Sequence, residues 1–278
     1  CDRAMERAIA LAQQWQYRLV VLCVVPAAQT LDLLDGSTPA QLQAWAHRRL
    51  QRDFGARLAA LPVSVRVEAA AQTGPCVLAV AEQENSQLLV TGMAADALFE
   101  QPRLGSTVAW LAQHARLPLL VVRNRALAPY RSMVLACDFS PHCAHALEQA
   151  VALFGEPLQL DLVHALEMPR SGLLTSTLES QQLDAKRIAA SQARQFLADC
   201  TLSDPLRLRA QVVIAPGEPG RVVGQHVRNN DSELVVVGSH GRSALSRMLL
   251  GSEAQRLLDS AQGDTLLVHR ASDACPES

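Results

Sequence analysis

Helix-like and strand-like segments alternate along this chain, and the alternation runs through twice. That pattern predicts the α/β class, with two tandem domains built on parallel sheets flanked by helices. Three observations carry it. Residues 234–237 are an uninterrupted run of Leu and Val, the composition of a strand covered on both faces. The stripe Met5, Ala8, Ile9, Ala12 recurs as Leu147, Ala150, Val151, Phe154, one helical face in both places, at a period of about 145 residues. The 278 residues are also enough to bury two cores.

Taken in order, the first copy opens on the helix of Met5 and Ile9. A strand-like run at 17–25 follows and is closed by Pro26. Leu42, Trp45, Leu50, Phe54, Leu58 and Leu61 mark a long amphipathic helix, and residues 63–67 alternate as a third strand. Gly74 and Pro75 start another helix, proline being well suited to a first turn. The fourth strand, 87–91, ends at Gly92, and a helix and a fifth strand at 117–123 close the copy. The short polar link 124–130 is the junction, giving domains at 1–127 and 128–278.

The second copy begins with a strand at 131–138, then the helix of Leu147 and Phe154, then a strand at 158–166 before Pro169. Leu183, Ala190, Ala193, Leu197 and Cys200 mark its long helix, and residues 206–214 read as the third strand. Gly217, Glu218 and Pro219 open a helix, 233–237 is the fourth strand, and 265–270 the fifth.

Composition narrows the partners. A formal net charge of -2, with both signs interspersed, leaves no basic stripe for nucleic acid. No apolar run is long enough for a membrane span, and the N-terminus lacks a secretory layout, so a cytoplasmic protein is expected. Seven cysteines, irregularly spaced and without a C-x-x-C pair, favour reduced core thiols.

The stretch that carries chemistry follows the fourth strand of the second copy. Gly238, Gly241 and the pair Gly251-Ser252 give a sharp bend followed by a helix start. Free backbone N–H groups and the positive end of a helix dipole there make a phosphate site. His240 can donate to a phosphate or fill the turn, and Arg242 or Arg247 can neutralise phosphate charge or remain solvated. Asp138, at the end of the preceding central strand, can take ribose hydroxyls or cap the helix that starts near Ser140.

This glycine spacing resembles that of the universal stress protein family. Gly238, Gly241, Gly251 and Ser252 all fall on the family pattern, and Glu253 departs from it. The resemblance implies two open five-stranded parallel sheets of order 3-2-1-4-5. It implies a stress-response protein that binds ATP or AMP in the C-terminal domain without turning it over, with Mg2+ bridging the phosphates. Asp138 would meet the ribose or the base, with Ser140 beside it in the site, and the backbone of Ala165 and Leu166 would meet the base, with the Gly217 turn close by. It further implies pairing of the fifth strands, 119–122 with 266–269, as an intramolecular pseudo-dimer that can form a homodimer.

The two copies differ in ways that bear on function. Ala95 replaces the middle glycine of the first copy, and Asp96 and Glu100 bring negative charge, so phosphate binding is expected only in the second. The first copy also lacks the strand that precedes its first helix, which in the family is central. Unpaired neighbours are costly, so a strand's worth of residues, roughly ten, is expected ahead of Cys1.

Among other chemistries, Cys137, Asp138, His142, Cys143 and His145 converge poorly as metal ligands, because Cys143 and His145 point apart on one helix. No nucleophile, base and orienting group stand together. The alternative to nucleotide binding is a stress-response scaffold acting through protein partners.

Overall fold

The computed structural model describes residues 2–26, 39–93, 104–126, 128–166, 175–239 and 252–269. In the first half these form α1 (Asp2–Trp15), β1 (Leu19–Pro26), α2 (Pro39–Leu58), β2 (Val63–Ala70), α3 (Thr73–Gln83), β3 (Leu89–Gly92), α4 (Ser106–His114) and β4 (Leu119–Val122). The second half contributes β5 (Ser132–Ala136), α5 (Pro141–Phe154), β6 (Gln159–Leu166), α6 (Thr175–Asp199), α7 (Asp204–Arg209), β7 (Gln211–Pro216), α8 (Pro219–Asn229), β8 (Leu234–Gly238), α9 (Ser252–Ser260) and β9 (Asp264–Val268).

Parallel pairing predominates. Strands β5 to β9 lie in the order β9-β8-β5-β6-β7, all parallel, which is 3-2-1-4-5 in that half's own count. The four strands of the first half are divided. β1 pairs with β2 as a separate two-stranded sheet, while β3 and β4 extend the larger sheet to seven strands. The join is antiparallel, Leu119 opposite Leu267 and Val121 opposite Thr265. Among the described residues no strand lies between β1 and β3, the place that β5 occupies between β6 and β8 in the other half.

Alternation along the strands sorts the core into two layers. Met133, Leu135, Leu160, Leu162, Leu234 and Val236 face one side, against Leu147 of α5 and Phe196 of α6. Val134, Val163, Val235 and Val237 face the other, against Leu111 of α4, Val223 of α8 and Leu257 of α9. Residues of β4 and β9 belong to both layers, so the two halves share both. A smaller cluster of Ile9, Ala46, Leu50, Leu58 and Val65 sits on the two-stranded sheet.

A buried carboxylate holds the halves together at one end of the β4–β9 ladder. Asp264 is fully buried. Its Oδ1 accepts the backbone N–H groups of Arg123 at 2.8 Å and Asn124 at 2.9 Å, and its Oδ2 accepts the Tyr130 hydroxyl at 2.7 Å. Arg7 Nε lies 3.4 Å from Oδ2, near enough to offset the charge though poorly aimed for a hydrogen bond. The Arg7 guanidinium also stacks 4.0 Å over the Tyr130 ring and donates to Ala128 O at 2.8 Å. Burial, aided by the Asp264 charge, holds the Tyr130 phenol well above its usual range, so it stays a donor.

Each half also reaches into the helix of the other. Arg123, just past β4, donates to Leu258 O in α9, and His269, just past β9, contacts Ala112 O in α4 at 2.9 Å. Both contacts satisfy carbonyls near a helix C-terminus.

Some sequence readings change. Residues 206–214 are not one strand, because 204–209 form α7 and only Gln211–Pro216 is β7. Ser203 caps that helix by accepting Leu206 N–H at 3.2 Å, and the Arg207 guanidinium holds the carbonyls of Leu197, Cys200 and Leu202. Local capping there outweighs the alternation. Trp45 and Leu183, read as buried helix positions, are 53% and 64% exposed, and Ala46 and Ala189 are buried instead.

Replacing Asp264 by Ala leaves Arg7 and two backbone donors buried without their acceptor. The expected loss is about 3–5 kcal/mol in urea unfolding, and a loss below about 1 kcal/mol would remove its role at the junction. At Gly74, an added Cβ would stand 2.3 Å from Trp110 Cε3. Gly74→Ala is expected to cost about 1–3 kcal/mol, and thermal unfolding should show recovery in the double variant with Trp110→Leu; no recovery would mean that the indole is not the obstacle.

Candidate functional site

Because β5, β6, β7, β8 and β9 run the same way, their C-terminal ends share one edge of the sheet. Strand order reverses there, β5 lying between β6 and β8 with later strands on either side. Such a switch point leaves a crevice in open parallel sheets. Asp138, Ala165, Leu166 and Gly238 all lie at that edge, as does the N-terminus of α9 at Ser252.

The turn from β5 into α5 is built with care. Ser140 caps α5, its Oγ accepting Cys143 N–H at 3.2 Å, while Pro141 occupies the first turn. Asp138 is therefore not the cap. Its Oδ1 accepts Ser140 N–H at 3.0 Å, which fixes the carboxylate beside the strand end. The capping role read for Asp138 thus belongs to Ser140.

Phe139, between them, has φ 59°, a left-handed conformation that costs a non-glycine residue about 1 kcal/mol or more. Packing holds it there, the ring lying 4.4 Å from the His164 ring and 6.0 Å from that of Phe196. His164 Nδ1 meets Cys137 O at 2.7 Å. A carbonyl only accepts, so Nδ1 carries the proton, and the imidazole pins the ends of β5 and β6 together. Neither Phe139 nor His164 stood out in the sequence. His164 lies inside an apolar run, and no sequence pattern announces a left-handed phenylalanine.

The end of β6 separates Ala165 from Leu166. β5 pairs with β6 only as far as Ala136 opposite Val163, with Cys137 N–H then donating to Val163 O at 2.9 Å. β7 continues to Pro216 opposite Leu166. In a parallel strand alternate residues present both backbone groups to the same neighbour. Val163 faces β5, so Ala165 does too, beyond the last paired residue of β5. Leu166 faces β7, and its carbonyl accepts Gly217 N–H at 3.0 Å. Of the two positions, Ala165 is the one with no described strand residue opposite it on the crevice side.

Gly217, at φ 136°, makes the bend from β7 into α8, a conformation that favours glycine. Glu218 stands at the N-cap of α8 but makes no side-chain cap, pairing instead with Arg256 of α9. That exposed pair adds little stability but joins the two helices that flank the crevice. On the far side Gly238 ends β8, and the buried Ser239 donates its N–H to Val268 O at 2.9 Å. His240, Gly241, Arg242 and Gly251 lie outside the described residues, and of Ser252 only its place at the start of α9 is described.

Two thiols complete the wall behind Asp138. Cys137 Sγ and Cys143 Sγ are 3.3 Å apart, and both are buried. Burial pushes the Cys143 thiol well above its ordinary value. Among the described residues no three His, Cys, Asp or Glu side chains come together as a metal site, and no helix is long and apolar enough to cross a membrane.

Comparisons with known proteins agree with this architecture. A universal stress protein of Mycobacterium tuberculosis strain H37Rv is 27% identical over 223 residues, covering 75% of this chain and 70% of that protein. One from Synechocystis sp. strain PCC 6803 is 26% identical over 157 residues, covering 50% of this chain and 97% of its own length. The solved structure of a universal stress protein from Archaeoglobus fulgidus matches with a TM-score of 0.61 at 16% identity, over 98% of this chain and 96% of that one. That likeness speaks for the fold. The sequence model of the Universal stress protein family matches residues 1–123 and again residues 129–269, and the chain belongs to that family, with two copies in tandem.

Proposed function

We propose that the C-terminal half binds an adenine nucleotide, ATP or AMP, and acts as a stress-response protein through binding rather than turnover. The observation that carries the reading is the convergence at one sheet edge of the Asp138 carboxylate, the open backbone of Ala165, the Gly217 bend and the start of α9. The donor set suits such a ligand. A fixed carboxylate accepts ribose hydroxyls, and a strand end with N–H and C=O both open can pair with the edge of a base.

For the phosphates, Gly238, Gly241, Gly251 and Ser252 would supply the bend and the helix-start amides, with His240 and Arg242 as added donors. Mg2+, when bound, would neutralise charge between phosphate oxygens. Hydrolysis is not assigned to any residue, since among the described residues no base stands beside an attacking group at this edge and the loop sequence lacks the Lys-Ser/Thr ending of a P-loop. The first half keeps Gly92 and Gly105 but carries Ala95, Asp96 and Glu100 between them, so no nucleotide is assigned to it.

Calorimetric titration of the full chain with ATP and AMP, with and without Mg2+, tests this reading. Cyclic AMP belongs in the same panel, since one solved universal stress protein is a complex with it. Saturable heat with at least one ligand is expected. Asp138→Ala should weaken binding about tenfold or more, as loss of a charged hydrogen bond does, and joint Gly241→Val and Gly251→Val should abolish it. Removing Mg2+ with EDTA should weaken ATP binding more than AMP binding. No heat from any of the three would leave the protein as a scaffold for protein partners.

A further inference from the structure

The nucleotide reading leaves the two thiols behind Asp138 without a use. Cys137 follows β5 and Cys143 lies in the first turn of α5, so the pair brackets Asp138, Phe139 and Ser140. Their Sγ atoms are 3.3 Å apart, and the Cys143 thiol donates to Cys137. Bonded sulfurs stand about 2.05 Å apart, so closure needs an approach of little more than an ångström. A third thiol, Cys200, shares the same apolar cluster and provides a built-in competitor.

We propose that Cys137 and Cys143 form a reversible intramolecular disulfide under sustained peroxide, and that this bond weakens ligand binding at the adjacent site. The first part rests on the thiol geometry, and the second also on the nucleotide reading above. One sulfur, as thiolate, attacks a peroxide oxygen. The O–O bond breaks, a sulfenic acid forms, and the departing oxygen leaves as water with the thiol proton. The second sulfur then attacks the sulfenic sulfur and displaces its hydroxyl as a second water. Two thiols and one hydrogen peroxide give one disulfide and two waters, and a dithiol reductant reverses the change.

Burial governs the rate. With exposures of 6% and 3% and a Cys143 thiol held well above its usual range, the pair reacts slowly at neutral pH and faster as pH rises. A brief exposure to oxidant leaves it reduced. Once one sulfur is oxidised, its partner is already in contact, which favours the internal bond over further oxidation. The bond then acts on the site through the cap. Cys143 N–H is held by Ser140 Oγ, and Ser140 N–H by Asp138. Drawing the first turn of α5 toward the end of β5 shifts both residues.

The test treats the full chain with hydrogen peroxide, alkylates free thiols and digests with trypsin. Arg131 and Arg170 bound a single tryptic peptide that holds both cysteines, while Cys200 falls in another. The expected product is that peptide unalkylated and lighter by two hydrogens, restored by dithiothreitol, and formed faster at higher pH. Titration with the nucleotide that binds the reduced protein should then show affinity about tenfold weaker after oxidation, and Cys143→Ala should remove the difference between treated and untreated protein. Should that variant fail to fold, Cys137→Ser serves the same comparison.

Two alkylated cysteines in that peptide after prolonged peroxide, or a bond to Cys200, would overturn the proposal. So would a clean disulfide that leaves affinity unchanged. If the bond forms in a chain whose reduced form takes up no nucleotide, the nucleotide reading falls, and the consequence drawn for it falls too.

Discussion

The Asp264 carboxylate is the constraint on which the arrangement of the halves depends. A charge with no access to water must be satisfied where it lies, and four groups from three parts of the first half and the link converge on it. Two are backbone amides just past β4, so the β4–β9 register is set by hydrogen bonds as well as by apolar packing. A third is the Tyr130 hydroxyl, which orders the link into β5. The fourth is Arg7, which brings α1 onto the same point. Slipping β4 by one residue would strand the carboxylate and turn the strand's side chains to opposite layers.

From that register the rest of the sheet follows. Leu119 and Val121 join one apolar layer, and Leu120 and Val122 the other, so strands from both halves contribute to both cores. The second half is complete in itself, and its central strand β5 ends early relative to β6. That shortfall leaves Ala165 without a β5 residue opposite it, beside the Asp138 turn. The crevice is thus a consequence of unequal strand lengths at the switch point, lined by whatever residues follow each strand.

Much of this was legible in the sequence, and the gaps have physical causes. Apolar runs located β8, β6, β4 and β9 to within a residue or two, since Leu and Val dominate the buried positions of these strands. Asp138 and Ser140 could be read as a pair of roles but not assigned, because a strand-end Asp and a following Ser look alike as caps until the hydrogen bonds are seen. Residues 206–214 misled because the alternation of Leu206 and Leu208 was local, and the Ser203 cap and Pro205 signalled a helix turn instead. Leu208 is in fact among the most exposed apolar side chains. Arg7 and Asp264 were invisible as partners, lying far apart in sequence and each looking like an ordinary surface charge. The division of Ala165 from Leu166 required knowing where β5 stops pairing.

The antiparallel seam between β4 and β9 has one more consequence. Strands β3 and β4 run against β8 and β9, so the segment leaving Gly92 departs from the opposite rim of the shared sheet to the segment leaving Gly238. The copies therefore address opposite poles of the molecule. A substitution at the C-terminal end of β3 therefore lies across the height of the sheet from the C-terminal end of β8, and the two ends are free to vary independently.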